Sequence, residues 1–83
     1  MEAARFEELM EQVRTTGDAV NLKDNKNRKY TLGHWPQGYW SLISGNVTIL
    51  FDTVEDLKDG WVAVRNGWHT CANVNVKFLE VTE

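Results

Sequence analysis

The sequence predicts a small α+β domain: an N-terminal amphipathic helix followed by a curled antiparallel β-meander of about five strands. Three observations predict it. The chain has 83 residues, the length of one domain. Phe6, Leu9, Met10 and Val13 stand at i, i+3, i+4 and i+7, one apolar helical stripe. After Gly17 the texture changes to short alternating runs separated by turn signals, the first three about ten residues apart, the rhythm of a meander.

The helix is expected over residues 1–16 and the antiparallel sheet over 18–81, within a single domain spanning 1–83. Glu7, Glu8, Glu11, Gln12 and Arg14 lie off the apolar stripe. Glu2 falls in the first turn, where the helix dipole favours an acid. Thr15, Thr16 and Gly17 end the helix, with Gly17 supplying a left-handed C-terminal position. One apolar face must dock on something. The sheet is the nearest platform, and a second copy of the chain is the other surface Phe6, Leu9, Met10 and Val13 could cover, giving a homo-oligomer.

Four turns divide the rest. They are "DNKN" (Asp24 to Asn27), "WPQG" (Trp35 to Gly38), "SGN" (Ser44 to Asn46) and "NG" (Asn66-Gly67). Proline second and glycine fourth suit a type I turn in "WPQG", and Asn-Gly is a strong hairpin signal. The strands expected are Ala19–Lys23, Arg28–His34, Tyr39–Ile43, Val47–Asp52, Trp61–Arg65 and a bent or broken Trp68–Val81.

Between Asp52 and Trp68 the pattern is ambiguous. Thr53 followed three residues later by Asp56 resembles a capping box. Val54, Leu57, Trp61, Val64 and Trp68 also fit a longer helix, but Gly60 in its middle would cost about 1 kcal/mol. The favoured reading is a short helical turn at Val54–Lys58, then a hairpin. A two-residue Asn66-Gly67 turn pairs Arg65 with Trp68, Ala63 with Thr70 and Trp61 with Ala72. Trp61, Ala63, Arg65 and Trp68 then share a face, opposite Val62, Val64, His69 and Cys71. The phase slips at Leu79 and Val81, which predicts a bulge or bend near Phe78. A curled sheet with a helix across one opening suits these partly apolar faces. From turn rhythm alone, the whole resembles a small SH3-like barrel.

Composition narrows the function classes. Hydrophobic residues are 42% and charged residues 25% of the chain, as in ordinary globular proteins. The net charge of −3 argues against a dedicated duplex-DNA binder, which draws much of its affinity from basic contacts to phosphate. A single cysteine permits no internal disulfide and no cysteine-based metal cluster. Acids stand at the N-terminus where a signal peptide would carry bases. No run of eighteen apolar residues is present to span a membrane. The expectation is a cytoplasmic protein without a membrane segment.

Catalytic and cofactor motifs are lacking. There is no nucleophile elbow, phosphate-binding glycine loop or H-E-x-x-H, so neither enzyme activity nor a cofactor is expected. His34 and His69 have no carboxylate partner in their own strands. His69 and Cys71 could chelate from one strand face, but zinc sites carry two spaced ligand pairs. Cys71 is therefore expected as a small buried apolar residue. The acids Asp52, Glu55, Asp56 and Asp59 lack the alternating oxygen ligands of a Ca²⁺ loop; they are expected to solvate and cap the helical turn.

Two binding features remain. Alternation puts Trp40 and Leu42 into the core and leaves Trp35 opening a turn beside Pro36. His34, Trp35 and Tyr39, with Trp68, have the composition of protein-interface hot spots. They are the expected partner contacts, with Trp35 either turned outward or folded back as a lid. Compact, acidic, aromatic-rich chains of this type resemble the accessory proteins with which phage and mobile elements inhibit host defence. The alternative is a nucleic-acid or nucleotide contact. Lys23, Lys26, Arg28 and Lys29 surround the first turn and would hold phosphate while a neighbouring ring stacks on a base.

Overall fold

The computed structural model describes residues 1–82. Helix α1 (Ala3–Thr16) forms where the apolar stripe predicts it, and Phe6, Leu9, Met10 and Val13 are its buried residues. Glu2 is the N-cap, without a side-chain hydrogen bond, so the acid lies just before the first turn instead of in it. Gly17 adopts φ 76° and donates its N–H to the Val13 carbonyl. This left-handed conformation is the one a side chain resists.

Eight strands follow: β1 (Val20–Lys23), β2 (Lys29–His34), β3 (Trp40–Ser44), β4 (Val47–Phe51), β5 (Thr53–Asp56), β6 (Trp61–Asn66), β7 (His69–Asn75) and β8 (Glu80–Val81). They form two antiparallel sheets, ordered β4-β3-β2-β1-β8 and β5-β6-β7. Among the described residues the sheets do not join into a closed barrel. In the larger sheet Val20, Leu32, Leu42 and Ile49 form one cross-strand row, and His34, Trp40 and Phe51 the next. Alternation turns these rows toward α1. They join Phe6, Leu9, Met10 and Val13 with Val62, Val64, Val76 and Leu79 in one core. Each fully buried Phe, Leu or Val contributes roughly 1.5–3 kcal/mol. The helical face is thus covered by the chain's own sheets.

The helical turn expected at Val54–Lys58 is corrected: Val54 to Asp56 belong to strand β5, and Leu57 and Lys58 lead into the reversal before β6. Only Asp52 separates β4 from β5, so the chain bends there and passes into the second sheet. Val54 pairs with Val64, and Glu55 with Ala63. Arg65 donates to Glu55 through Nε at 3.0 Å and Nη2 at 2.6 Å. The apolar stretch Val62–Val64 needs a partner strand, and this long-range pairing overrides a local cap. The return to β6 runs through Asp59 and Gly60, both at positive φ (57° and 84°), the requirement of a tight Asp-Gly reversal.

The β6–β7 hairpin forms with a shifted register. Asn66 pairs with His69, Arg65 with Thr70 and Val64 with Ala72, with a bulge between Val64 and Arg65. The loop residues are therefore Gly67 and Trp68, not Asn66 and Gly67. Gly67 has φ 61° while Trp68 does not enter positive φ, which suits a turn needing glycine first. The bulge breaks the alternation that would have grouped Trp61, Ala63, Arg65 and Trp68. Instead Val62, Ala63 and Val64 are all buried, and Cys71, the extra residue of the bulge, is exposed instead of buried.

The predicted break near Phe78 is present. β7 ends at Asn75, the Leu79 N–H closes a turn onto Val76 O at 3.0 Å, and β8 crosses to β1. The Met1 amino group donates to the carbonyls of Val76, Lys77 and Leu79 at 2.8, 2.9 and 2.9 Å, fastening the start of the helix to this crossing. Among the described residues no helix is long and apolar enough to cross a membrane.

Candidate functional site

The "WPQG" turn closes as its residues predict, with Gly38 N–H donating to Trp35 O at 2.9 Å and Trp35 N–H to Tyr39 O at 2.9 Å. Trp35 and Tyr39 continue the alternation of Gly33 and Ser41, so both rings lie on the outer face of the larger sheet, away from α1. They stack, with centroids 6.2 Å apart and planes at 27°. The Trp35 indole N–H donates to Ser41 Oγ at 3.0 Å. Ser41 is only 2% exposed, whereas Trp35 remains 43% exposed. The ring is thus a lid over Ser41 on one side and a free surface on the other. Ile43 and Leu50 extend the apolar strip along this face; Leu50 pairs with Ser41 and is itself exposed.

His34 is on the opposite face. It packs edge-on against Trp40, with centroids 4.8 Å apart, and is half-buried. Arg14 holds the Glu11 carboxyl below its ordinary value, and His34 contributes a smaller attraction, placing the imidazole beside α1. Trp40 itself donates Nε1–H to the Met10 carbonyl at 2.9 Å and lies over Phe51. The inward placement of Trp40 and Leu42 follows the expected alternation, and the pleat parts His34 from Trp35 and Tyr39.

Trp68 reaches the same end of the molecule by another route. Phe51 pairs with Trp40, so Asp52 lies one residue further out, level with Tyr39. The Asp52 carboxylate accepts the Gly67 N–H at 3.1 and 3.2 Å, and Asp52 N–H donates to Arg65 O at 2.8 Å. The β6–β7 turn is fastened there, with Trp68 97% exposed at its tip. Between α1 and the bend from β4 into β5 opens a shallow cleft of about 310 Å³, lined by Glu7, Met10, Glu11, Trp40, Asp52 and Val54 among others.

The basic turn lies at the other end, beyond β1 and β2. Its organiser is Asp24, 7% exposed. That carboxylate accepts the backbone N–H of Lys26 at 2.8 Å and of Arg28 at 2.9 Å, Arg28 Nε–H at 2.7 Å and the Tyr30 hydroxyl at 3.1 Å. Burial pushes its pKa up, but these four donors outweigh burial and hold it down at about 2. Among the described residues Arg28 is ion-paired with Asp24 and Lys23 with Glu80, while Lys26 and Lys29 are in no ion pair. The ring beside this turn is Tyr30; His34, Trp35 and Trp40 are at the far end of β2 and β3.

No family model, curated protein or solved structure matches the chain.

Asp24 and Asp52 were the site residues hardest to find in the sequence. Asp24 carried a usable signal, since an aspartate opening a turn commonly accepts backbone N–H groups two residues on. Asp52 carried none, because its partner Gly67 is fifteen positions away.

Proposed function

We propose that the chain is a small non-enzymatic binding protein that grips a protein partner with the end bearing Trp35, Tyr39 and Trp68. One observation carries the reading: a tryptophan 97% exposed at the tip of a hairpin that is itself fastened to the body by Asp52. Fully exposed tryptophan contributes nothing to the core, and tryptophan and tyrosine dominate the centres of protein interfaces. The Trp35–Tyr39 stack adds a rigid second platform at the same end. Glu7, Glu11 and Asp52 beside Trp40 favour a partner surface carrying basic residues. His34, beneath Trp40, supports the platform from behind and makes no direct contact in this reading.

In its finer form the proposal makes this chain an accessory inhibitor, of the kind phage and mobile elements direct at host defence proteins. Its small size, its acidity and its exposed rings support that form. The test compares wild-type protein with Trp68→Ala and with the double variant Trp35→Ala/Tyr39→Ala as baits in the native host. A partner retained by the wild type and lost by both variants, with all three equally folded, supports the reading. Unchanged capture by both variants overturns it. The basic turn is a poorer basis for gripping a protein partner, because Lys23 pairs with Glu80 and Arg28 gives its Nε–H to Asp24.

A further inference from the structure

We propose a second binding site, for a nucleobase bearing a phosphate, in the cleft where Trp61 and Phe78 face the Asp24 turn. This cleft encloses about 240 Å³, and its walls include Arg28, Tyr30, Trp61, Asn73, Asn75 and Phe78. It lies at the end of the molecule opposite Trp68, so it is independent of the protein-binding end.

The walls have the chemistry a base requires. Trp61 is 44% and Phe78 48% exposed: the fold leaves both rings half uncovered at one opening. Bases stack on such faces regardless of identity. Asn73 and Asn75 line the same cleft, and their amides can match the donor and acceptor edge of a base. Asn75 Oδ1 already accepts the Lys77 N–H at 2.9 Å, which fixes that amide and turns its NH₂ group to other acceptors. Arg28 is engaged only through Nε among the described residues. Its terminal nitrogens extend from a side chain that is 63% exposed. A guanidinium anchored at one nitrogen is pre-organised to fork onto a phosphate.

The site differs from the expected basic turn in what carries it. Lys23 and Lys29 have no part in it. Rings from β6 and from the turn after β7, seventeen positions apart in the chain, do the gripping, and Arg28 alone is shared. A free nucleotide and a single-stranded nucleic acid offer the same base and phosphate, so both sources are tested.

The experiment titrates isotope-labelled full-length protein with the four ribonucleoside monophosphates, with five-nucleotide single-stranded oligonucleotides, and with glucose as a neutral ring of similar size. The expected result is saturable shifts of the Trp61 indole and of the Asn73 and Asn75 side-chain amides with nucleotides. Trp61→Leu and Phe78→Ala are expected to weaken binding about tenfold each, Trp61→Phe to restore most of it, and Trp68→Ala to leave it unchanged. Tighter, salt-sensitive binding of the oligonucleotides identifies the polymer as the source; equal binding identifies the free nucleotide. The proposal is overturned if no nucleotide shifts these resonances at millimolar concentration, if glucose shifts them as strongly, or if binding survives both Trp61→Leu and Phe78→Ala.

Discussion

Strand β6 is bounded by two turns, each with a glycine at positive φ, and they meet different surroundings. At Gly60 (φ 84°) a Cβ would lie 2.4 Å from Lys77 Cβ and 2.9 Å from Asn75 Oδ1. The Gly60 carbonyl also accepts the Val76 N–H at 2.8 Å. At Gly67 (φ 61°) a Cβ would meet nothing within 4 Å, and the next residue, Trp68, stands almost wholly in solvent. The first turn is wedged into the crossing that joins the two sheets. The second is held by one carboxylate and otherwise open. A tight turn therefore serves the fold at one end of β6 and leaves a large ring free for a partner at the other.

Gly60→Ala should produce the largest effect. Strain at positive φ and the clash with Lys77 Cβ add to a loss of about 3 kcal/mol in unfolding free energy, read by urea denaturation. A loss under about 1 kcal/mol would show that the two turns are alike. Trp68→Ala sharpens the contrast from the other side. It should weaken partner binding by about 2 kcal/mol or more yet leave stability within about 0.5 kcal/mol of wild type. Gly67→Ala should cost about 1 kcal/mol, from backbone strain alone, so the ratio of the two glycine variants measures how much of the Gly60 effect is packing.

Trp35→Phe keeps a ring over Tyr39 but removes the donor to Ser41 Oγ. It should lower stability by about 1 kcal/mol with little change in binding, which separates the lid role of Trp35 from its surface role. The last effect is silent at neutral pH. The Asp24 carboxyl is held at about 2 in the folded chain against an ordinary 3.8. Its contribution to stability is therefore complete above pH 4 and is lost as pH falls from about 4 through about 2. Acid titration of the unfolding free energy should show this loss in wild type, and Asp24→Asn should remove that component.

Much of the fold was legible. The helix and its C-terminal glycine, the first four strands, the "WPQG" turn and the break near Phe78 all rest on interactions between near neighbours or on periodicity along one element. The inward Trp40 followed from the same alternation, whereas Trp35, open in the sequence between an outward ring and a lid, was placed only by the fold. What was misread lies between Thr53 and Ala72. Thr53 and Asp56 resembled a helix cap because a capping pattern is local, whereas β5 exists to pair with β6. Asp59-Gly60 is the local signal for that reversal. The bulge that exposes Cys71 and shifts the hairpin register has no signature in the residues around it.

The sequence by itself determined the elements whose information is short-range: an amphipathic helix, alternating strands, turns with glycine or proline where the backbone needs them, and the absence of catalytic motifs. Only the tertiary structure decided which of the four tryptophans are exposed and where they gather. Trp68 is free because a bulge and Asp52 set its hairpin tip outward. Trp35 is half-covered because Ser41 captures its indole N–H. Trp61, Phe78 and Arg28 line one cleft because β8 crosses back to β1. Each of these placements depends on contacts between residues distant in the chain, which spacing along the sequence does not encode.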